Sequence, residues 1–545
     1  HFGLEERTKV DSVKVIWPNG SQQLLTNIVA NKHIALNYKN AQPSVQLNTE
    51  SNALFEVIDP SIIGIDYLQV ENEFNDFKLQ LLLPQKQSEV SSPLAVADIN
   101  NDGLDDFFVG NSKNEKASLF IQKEDGKFIS SNELLFESDR IYEDTNAIFI
   151  DVDNDNDLDL YVASGGYEVE QNSLLLQDRL YINDGTGQFK TSNNLPNIRS
   201  NTKGLTTADY DNDGDLDIFV GSRVKHGMYP ISDTSYLLEN QNGKFIDVTN
   251  ERISDVSDLK MVNEAIFTDY DNDGDPDLIV VGEWMPIIVF ENDNSHFIKR
   301  EFPELKDLNG WYQTIKEVDL DKDGFKDYII GNWGENNKFH PSEEKPLHVY
   351  ADDFDDNASV DIILSKVSKT GELIPVRGKE CSSEQTAFLT TKIKTYKEFA
   401  ALNIMDIYGE NELSKATHLT VSNFETIIIE NNGNGNFEIK KLPKHAQFSP
   451  TLSIETHDLN NDGYLDIFAV GNVFGSEVET IRYDASRNYV LSGHEDGDFQ
   501  FINDVSYFNN YEAKAIKKIV INNRVHFIIL NKNSDLKILR LREQS

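Results

Sequence analysis

Residues 206–221 read TTADYDNDGDLDIFVG, and this stretch decides the fold. Two apolar, strand-like segments flank a nine-residue loop. Asp209, Asp211, Asp213 and Asp217 hold its positions 1, 3, 5 and 9, Gly214 holds position 6 and Asp215 position 7. The flanks alternate as strands do, with no helical period beside them. The pattern returns along the chain. AVADINNDGLDDFFVG (95–110) puts Asp98, Asn100, Asp102, Leu104 and Asp106 at positions 1, 3, 5, 7 and 9. IFIDVDNDNDLDLYVASG (148–165) puts Asp151, Asp153, Asp155, Asp157 and Asp159 there, and IFTDYDNDGDPDLIVVG (266–282) puts Asp269, Asp271, Asp273, Asp275 and Asp277. KEVDLDKDGFKDYIIG (316–331) supplies Asp319, Asp321, Asp323, Phe325 and Asp327, and ETHDLNNDGYLDIFAVG (455–471) supplies Asp458, Asn460, Asp462, Tyr464 and Asp466. A looser copy, YADDFDDNASVDII (350–363), supplies Asp353, Asp355, Asn357, Ser359 and Asp361, with Ala358 at position 6.

Most copies are followed by a Gly- or Asn-rich turn into Phe, as in INDGTGQF (182–189), NQNGKF (240–245) and NNGNGNF (431–437). Such turns supply the φ > 0 positions of tight hairpins. The first five loops start at Asp98, Asp151, Asp209, Asp269 and Asp319, 50 to 60 residues apart. That period fits one four-stranded propeller blade per repeat. The reading is all-β: a β-propeller over 93–545 with seven blades, eight being the alternative count. The run at 517–541 supplies three strands of a blade without an Asp loop, and 77–83 is the expected ring-closing strand. An insertion at about 341–418 interrupts the fifth blade. Within it 383–408 reads as one amphipathic helix, with Ser382 and Gln385 as its capping box and Gly409 as its stop. Residues 1–40 form a separate small β module, in which VKVIWPNGSQQLL (13–25) alternates apolar residues around a Pro18-Asn19-Gly20 turn. Residues 41–92 lead into the propeller.

The Asp loop implies calcium on chemical grounds. Ca²⁺ takes 6–8 oxygen ligands at 2.3–2.6 Å, and a tight loop converges side chains at positions 1, 3 and 5. Position 7 offers its carbonyl, position 9 adds a carboxylate, and position 6 needs φ > 0, hence its Gly or Asn. Ala358 at that position makes the Asp353 loop the weakest copy, so six or seven sites are expected. Zn²⁺ would want His or Cys, which do not recur, and Mg²⁺ demands a stricter octahedron. Solvated hairpin turns alone would need no Asp at four fixed positions.

Composition sets the outer bounds. The 545 residues hold 92 Asp and Glu against 50 Lys and Arg, a formal charge of −42. Such a polyanion repels phosphate backbones and favours cations, so nucleic acid is not an expected partner. A single cysteine, Cys381, precludes an intrachain disulfide. No apolar run approaches the ~20 residues of a membrane-spanning helix. No GxSxG, HExxH or comparable catalytic constellation stands out, and an enzyme is not expected. Calcium loops of modest affinity, ~10⁻⁴–10⁻³ M, suit a calcium-rich compartment outside the cytoplasm.

The Asp loops resemble the FG-GAP/VCBS repeats of integrin-α-type propellers. The opening HFGLEERTKVDSVKVIWPNGSQQLLTNIVANKHIAL is similar to the ASPIC/UnbV module that accompanies such repeats in cartilage-acidic-protein-like proteins, many of them bacterial. The module starts midway, so a longer parent is expected. The resemblance implies extracytoplasmic calcium binding and a binding, adhesion or scaffold role at the cell surface, with a cell-surface or outer-membrane protein or a glycan as partner. Alternatives are a glycan-binding accessory of a bacterial outer-membrane uptake system and a propeller hydrolase or lyase. If the Asp loops share one face, the residues after each second strand crown the other. Tyr167, Arg223, His226, Trp284, Trp333 and Phe474 are the candidate ligand face there, against the plainer reading that they pack between blades.

Overall fold

The computed structural model describes residues 7–17, 21–42, 53–91, 93–433, 435–495, 497–503 and 509–543. They fall into two compact units, 1–53 and 54–545. In the first, Lys9–Ile16 pairs antiparallel with Gln22–Val29, with Lys9 opposite Val29. The Pro18-Asn19-Gly20 turn between them lies outside the described residues.

The second unit is an all-β propeller. Each repeat gives an antiparallel sheet in simple strand order, because two short apolar strands flank the Asp loop and two more flank the Gly turn. The first sheet runs Leu94–Ala97, Asp106–Val109, Ser118–Gln122, Phe128–Ser131. Seven four-stranded arrays of this order begin with Leu94–Ala97, Asp144–Ile150, Thr202–Ala208, Met261–Thr268, Thr314–Val318, Thr451–His457 and Ala513–Ile521. Each of these first strands packs on the next, and the last packs on the first, so the sheets close a ring. Closure leaves no inner edge open to foreign strands. Apolar side chains from facing sheets fill the wedges between them, as where Phe107, Phe120 and Phe128 meet Ile519, Ile528 and Ile538.

The ring-closing strand is not 77–83. The outer strand of the last sheet is Phe55–Ile58, paired with Lys537–Leu541 in the register Phe55–Leu541 to Ile58–Ile538. Glu56 and Arg540 face each other in that register and form an ion pair. Residues 77–83 instead contribute to a one-turn helix, Asp76–Leu79, and a turn that inserts Leu82 and Leu83 among Tyr167, Tyr229, Trp284, Trp311 and Trp333.

The insertion follows Asp327–Gly331, and the chain rejoins the fifth sheet at Ile427–Asn431. It builds a sheet of its own from Leu347–Asp352, Asp361–Val367, Leu373–Pro375 and Thr417–Val421, and the Asp353 loop joins its first two strands. The single helix expected at 383–408 is broken into Lys379–Gln385, Leu389–Lys392, Tyr396–Phe399 and Ile404–Tyr408, followed by Glu410–Leu413. The breaks have local causes. Ile393 is extended, and Thr395 with Glu398 and Asn403 with Asp406 form complete capping boxes that restart the helix. Ser382 sits inside a helix and caps nothing, while Gln385 hydrogen-bonds the Ile362 backbone. Gly409 does end Ile404–Tyr408, at φ 100°. The apolar face is still used: Leu389, Ile393, Ile404 and Ile407 pack on Tyr350 and Ile363.

Candidate metal centres

The loop 209–217 shows how the motif folds. Asp209 accepts from the N–H groups of Asp213 and Gly214, each at 3.0 Å, which draws the loop into a ring around its first carboxylate. Asp213 accepts from Asp215 N at 2.9 Å. Gly214 has φ 98°, and Gly103, Gly274, Gly324 and Gly463 match it, with Asn156 at 68° and Ala358 at 66°. The looser copy thus closes as the Asp209 loop does: Asp353 accepts from Asn357 N and Ala358 N at 2.9 and 2.7 Å.

The position-9 carboxylate, fully buried in Asp217, joins the loop to its sheet. It accepts from Tyr210 N at 3.3 Å and from Asn240 N at 2.7 Å. Asp106, Asp159, Asp277, Asp327 and Asp466 make the equivalent pair of bonds. Burial pushes these acids up: Asp106, Asp159, Asp277 and Asp361 to about 7, Asp217 to about 8 and Asp327 to about 6. Neighbouring loop carboxylates push the same way, and the N–H donors only partly oppose them. Asp153, Asp211 and Asp271 at position 3 are raised for the same two reasons, desolvation first.

Carboxylate oxygens of Asp151, Asp153 and Asp155 lie within 4.8 Å of one another, as do those of Asp209, Asp211 and Asp213 and of Asp269, Asp271 and Asp273. The same holds for Asp319, Asp321 and Asp327, and for Asp353, Asp355 and Asp361. Two oxygens bound to one Ca²⁺ at 2.3–2.6 Å stand no more than about 5 Å apart, so these clusters could hold a metal ion. Asp151 Oδ1, Asp211 Oδ1, Asp319 Oδ1 and Asp355 Oδ1 are buried without a protein donor. A buried, unpaired carboxylate oxygen is costly unless a cation compensates it, and the donor set is all oxygen. In the other two loops Asn100 and Asn460 accept from Asp102 N and Asp462 N at 3.0 and 2.9 Å, and among the described residues no triad of acids forms there. At position 5, Asp102, Asp155, Asp273, Asp323 and Asp462 each accept from the N–H of position 7, as Asn357 does from Ser359.

Position 7 was expected to offer only its carbonyl, yet its side chains are also used. Asn154 Nδ2 reaches from the second loop to Asp215 Oδ1 at 2.6 Å in the third, and Asn101 and Asn212 reach Asp157 and Asp275 at 3.2 Å. Lys322 Nζ lies 4.9 Å from the centre of the Tyr464 ring. A second set of residues escaped sequence reasoning. Asn183, Asn240, Asn292 and Asn431, where the third strand meets the Gly turn, donate to backbone carbonyls of Ile99, Val152, Tyr210 and Tyr270 in the preceding loop at 2.6–2.8 Å. The recurrence of Asn at the end of the third strand in four repeats, Asn183, Asn240, Asn292 and Asn431, was the available signal.

The six residues proposed as a ligand face are not displayed as one. Tyr167, Arg223, Trp284 and Trp333 are buried, and His226 and Phe474 are half-buried. The lead-in segment covers them. Gln80 bonds Tyr167 Oη and the Tyr229 and Val360 carbonyls. Gln87 accepts from Arg223 at 2.7 Å, and Arg223 pairs with the buried Glu283 at 3.2 Å. Trp284 donates to Tyr229 Oη at 2.7 Å and meets Trp311 edge-on, and Trp333 packs on Trp311 and Tyr483. His226 bonds the Tyr167 carbonyl, and Arg482 covers the Phe474 ring. Tyr167, Tyr229, Trp284, Trp311, Trp333 and Tyr483 form one axial core.

Residues 1–43 match the family described as ASPIC and UnbV, and residues 98–162, 163–220 and 269–330 match the FG-GAP-like repeat. The chain carries an ASPIC/UnbV module and FG-GAP repeats. No curated protein matches it. Among solved structures it is similar to the Vibrio cholerae biofilm matrix protein Bap1, at 9% identity over 88% of this chain and 91% of that one, with a TM-score of 0.33. It is also similar to the Dos1 propeller, at 9% identity over 87% and 95%, TM-score 0.38. A third is BBS1N in complex with ARL6DN, at 9% over 90% and 98%, TM-score 0.37. The FG-GAP repeats begin at or run through the Asp loops, and an FG-GAP propeller fits a binding or scaffold module. Among the described residues no helix is long and apolar enough to cross a membrane.

Proposed function

We propose that this FG-GAP propeller is a calcium-stabilised, non-catalytic binding or scaffold module that acts outside the cytoplasm, in contact with a surface protein or glycan. The observation that carries the calcium reading is the set of buried, donorless oxygens of Asp151, Asp211, Asp319 and Asp355 inside carboxylate clusters of calcium dimensions. Asp209, Asp211, Asp213 and Asp217, and their counterparts in the other loops, would hold the ion, which supplies the positive charge these clustered acids need. Extracellular calcium modules use sites of ~10⁻⁴–10⁻³ M, and loops of that affinity would fill only where calcium is abundant, outside the cytoplasm. A module role is supported by the FG-GAP repeats.

The test is thermal unfolding of the full chain in millimolar calcium and in EDTA. Calcium is expected to raise Tm by several degrees, since the sites add their binding free energies to the native state. An unchanged Tm overturns the reading.

A further inference from the structure

The Asp loops touch one another, and the touching residues follow a rule. Position 4 of each ring loop has left-handed backbone, at φ 56° in Asn101, 59° in Asn154, 58° in Asn212, 59° in Asn272 and 63° in Lys322. From that conformation each side chain reaches into the next loop. Asn101 meets Asn156 O and Asp157, Asn154 meets Gly214 O and Asp215, and Asn212 meets Asp275. Asn272 donates to Gly324 O at 3.4 Å, and Lys322 to Gly463 O at 2.7 Å. All these acceptors lie at positions 6 and 7, the segment whose carbonyl would face an ion. Contacts also run backward, from Asn183, Asn240, Asn292 and Asn431 to the carbonyl at position 2 of the preceding loop. Consecutive loops from Asp98 to Asp319 are therefore clasped from both sides.

We infer that the ring loops bind calcium as a coupled row, with Asn101, Asn154, Asn212, Asn272 and Lys322 as the residues that pass the closure of one loop to the next. This rests on the calcium reading above. A position-4 side chain is aimed at its neighbour only while its own loop is closed, and closure of the neighbour sets the acceptors it needs. Each ion thus favours the next, and the effect is reciprocal. The row has ends. Asn461, in the last ring loop, makes no such bond among the described residues, and the following sheet turns at Ile521–Arg524 without an Asp loop. Position 4 of the inserted loop, Asp356, reaches no other loop among the described residues, so the Asp353 site binds independently.

Substitution by glycine removes the donor and keeps the left-handed backbone. The experiment titrates calcium into the full chain and into N154G/N212G, following hydrogen exchange of peptides spanning 98–106, 151–159, 209–217, 269–277 and 353–361. D356G is the control. In the parent chain the ring peptides are expected to become protected together, in a steep transition, and the 353–361 peptide along its own curve. In N154G/N212G the peptides 209–217 and 269–277 should need roughly fivefold more calcium, the loss of about one hydrogen bond, and the transition should broaden. D356G should leave the ring peptides unchanged. Shallow independent curves in the parent chain, or an unshifted N154G/N212G, overturn the coupling while calcium binding stands. No calcium-dependent protection in the parent chain overturns the calcium reading and the coupling with it.

Discussion

At the residue scale the design centres on acids placed where acids are costly. Asp217 and its counterparts are buried, accept two backbone N–H bonds and face other carboxylates. The folded-state pKa values of Asp106, Asp217 and Asp327, about 6 to 8, lie above the unfolded value near 3.9, and Asp466 is raised as well. An acid whose pKa is raised by folding binds more protons in the native state, so stability falls as pH rises between the two values. The chain in EDTA should therefore lose stability from about pH 5 to pH 8. Bound calcium holds these acids ionised, so the loaded chain takes up no extra protons on folding and its stability should stay nearly flat over the same interval, while its margin over the EDTA chain widens. Chemical denaturation at three pH values, with calcium and with EDTA, measures both slopes. The Asp at positions 1, 3, 5 and 9 were legible because their spacing is local. The Asn donors were not, because each acts on a loop 52 to 161 residues away in sequence, and a single short polar residue does not name its partner.

At the element scale, strands were easier to read than what joins them. The alternation around each Asp loop is a two-residue signal that burial enforces, so strand pairs such as Thr202–Ala208 with Asp217–Ser222 were visible. The insertion misled because its 3–4 spacing of apolar residues is real, while Thr395 and Asn403 carry restart signals inside it. The second strands also deliver the axial aromatics. The positions after them were legible, but their burial was not, since it depends on the lead-in segment crossing the ring. Arg223 and Glu283 are an ion pair within this core. Removing one partner strands a buried charge, so Arg223→Met should cost about 3–5 kcal/mol, and R223M/E283L should recover most of it. Denaturant unfolding in saturating calcium checks both values.

At the scale of the whole molecule, ring closure depends on residues far apart in sequence. Phe55–Ile58 completes the sheet that ends at Lys537–Leu541, and Glu89 pairs with Lys532 beside Glu512 and Lys514. The choice of Phe55–Ile58 over 77–83 was not legible, since both are short and apolar and only the partner register separates them. A chain starting at residue 93 lacks this strand and the axial segment. It should lose cooperative unfolding and aggregate through the bare edge of Lys537–Leu541, whereas a chain starting at residue 53 should unfold cooperatively. Circular dichroism melts with light scattering distinguish the two.

The central claim is that the Asp loops are calcium sites arranged around the ring. Anomalous diffraction from crystals grown in millimolar calcium, collected at long wavelength, tests it most directly. The account predicts a peak inside the loops starting at Asp98, Asp151, Asp209, Asp269, Asp319 and Asp458, and a weaker one at Asp353, each about 2.3–2.6 Å from the side-chain oxygens. Loops that hold only water under those conditions would contradict it.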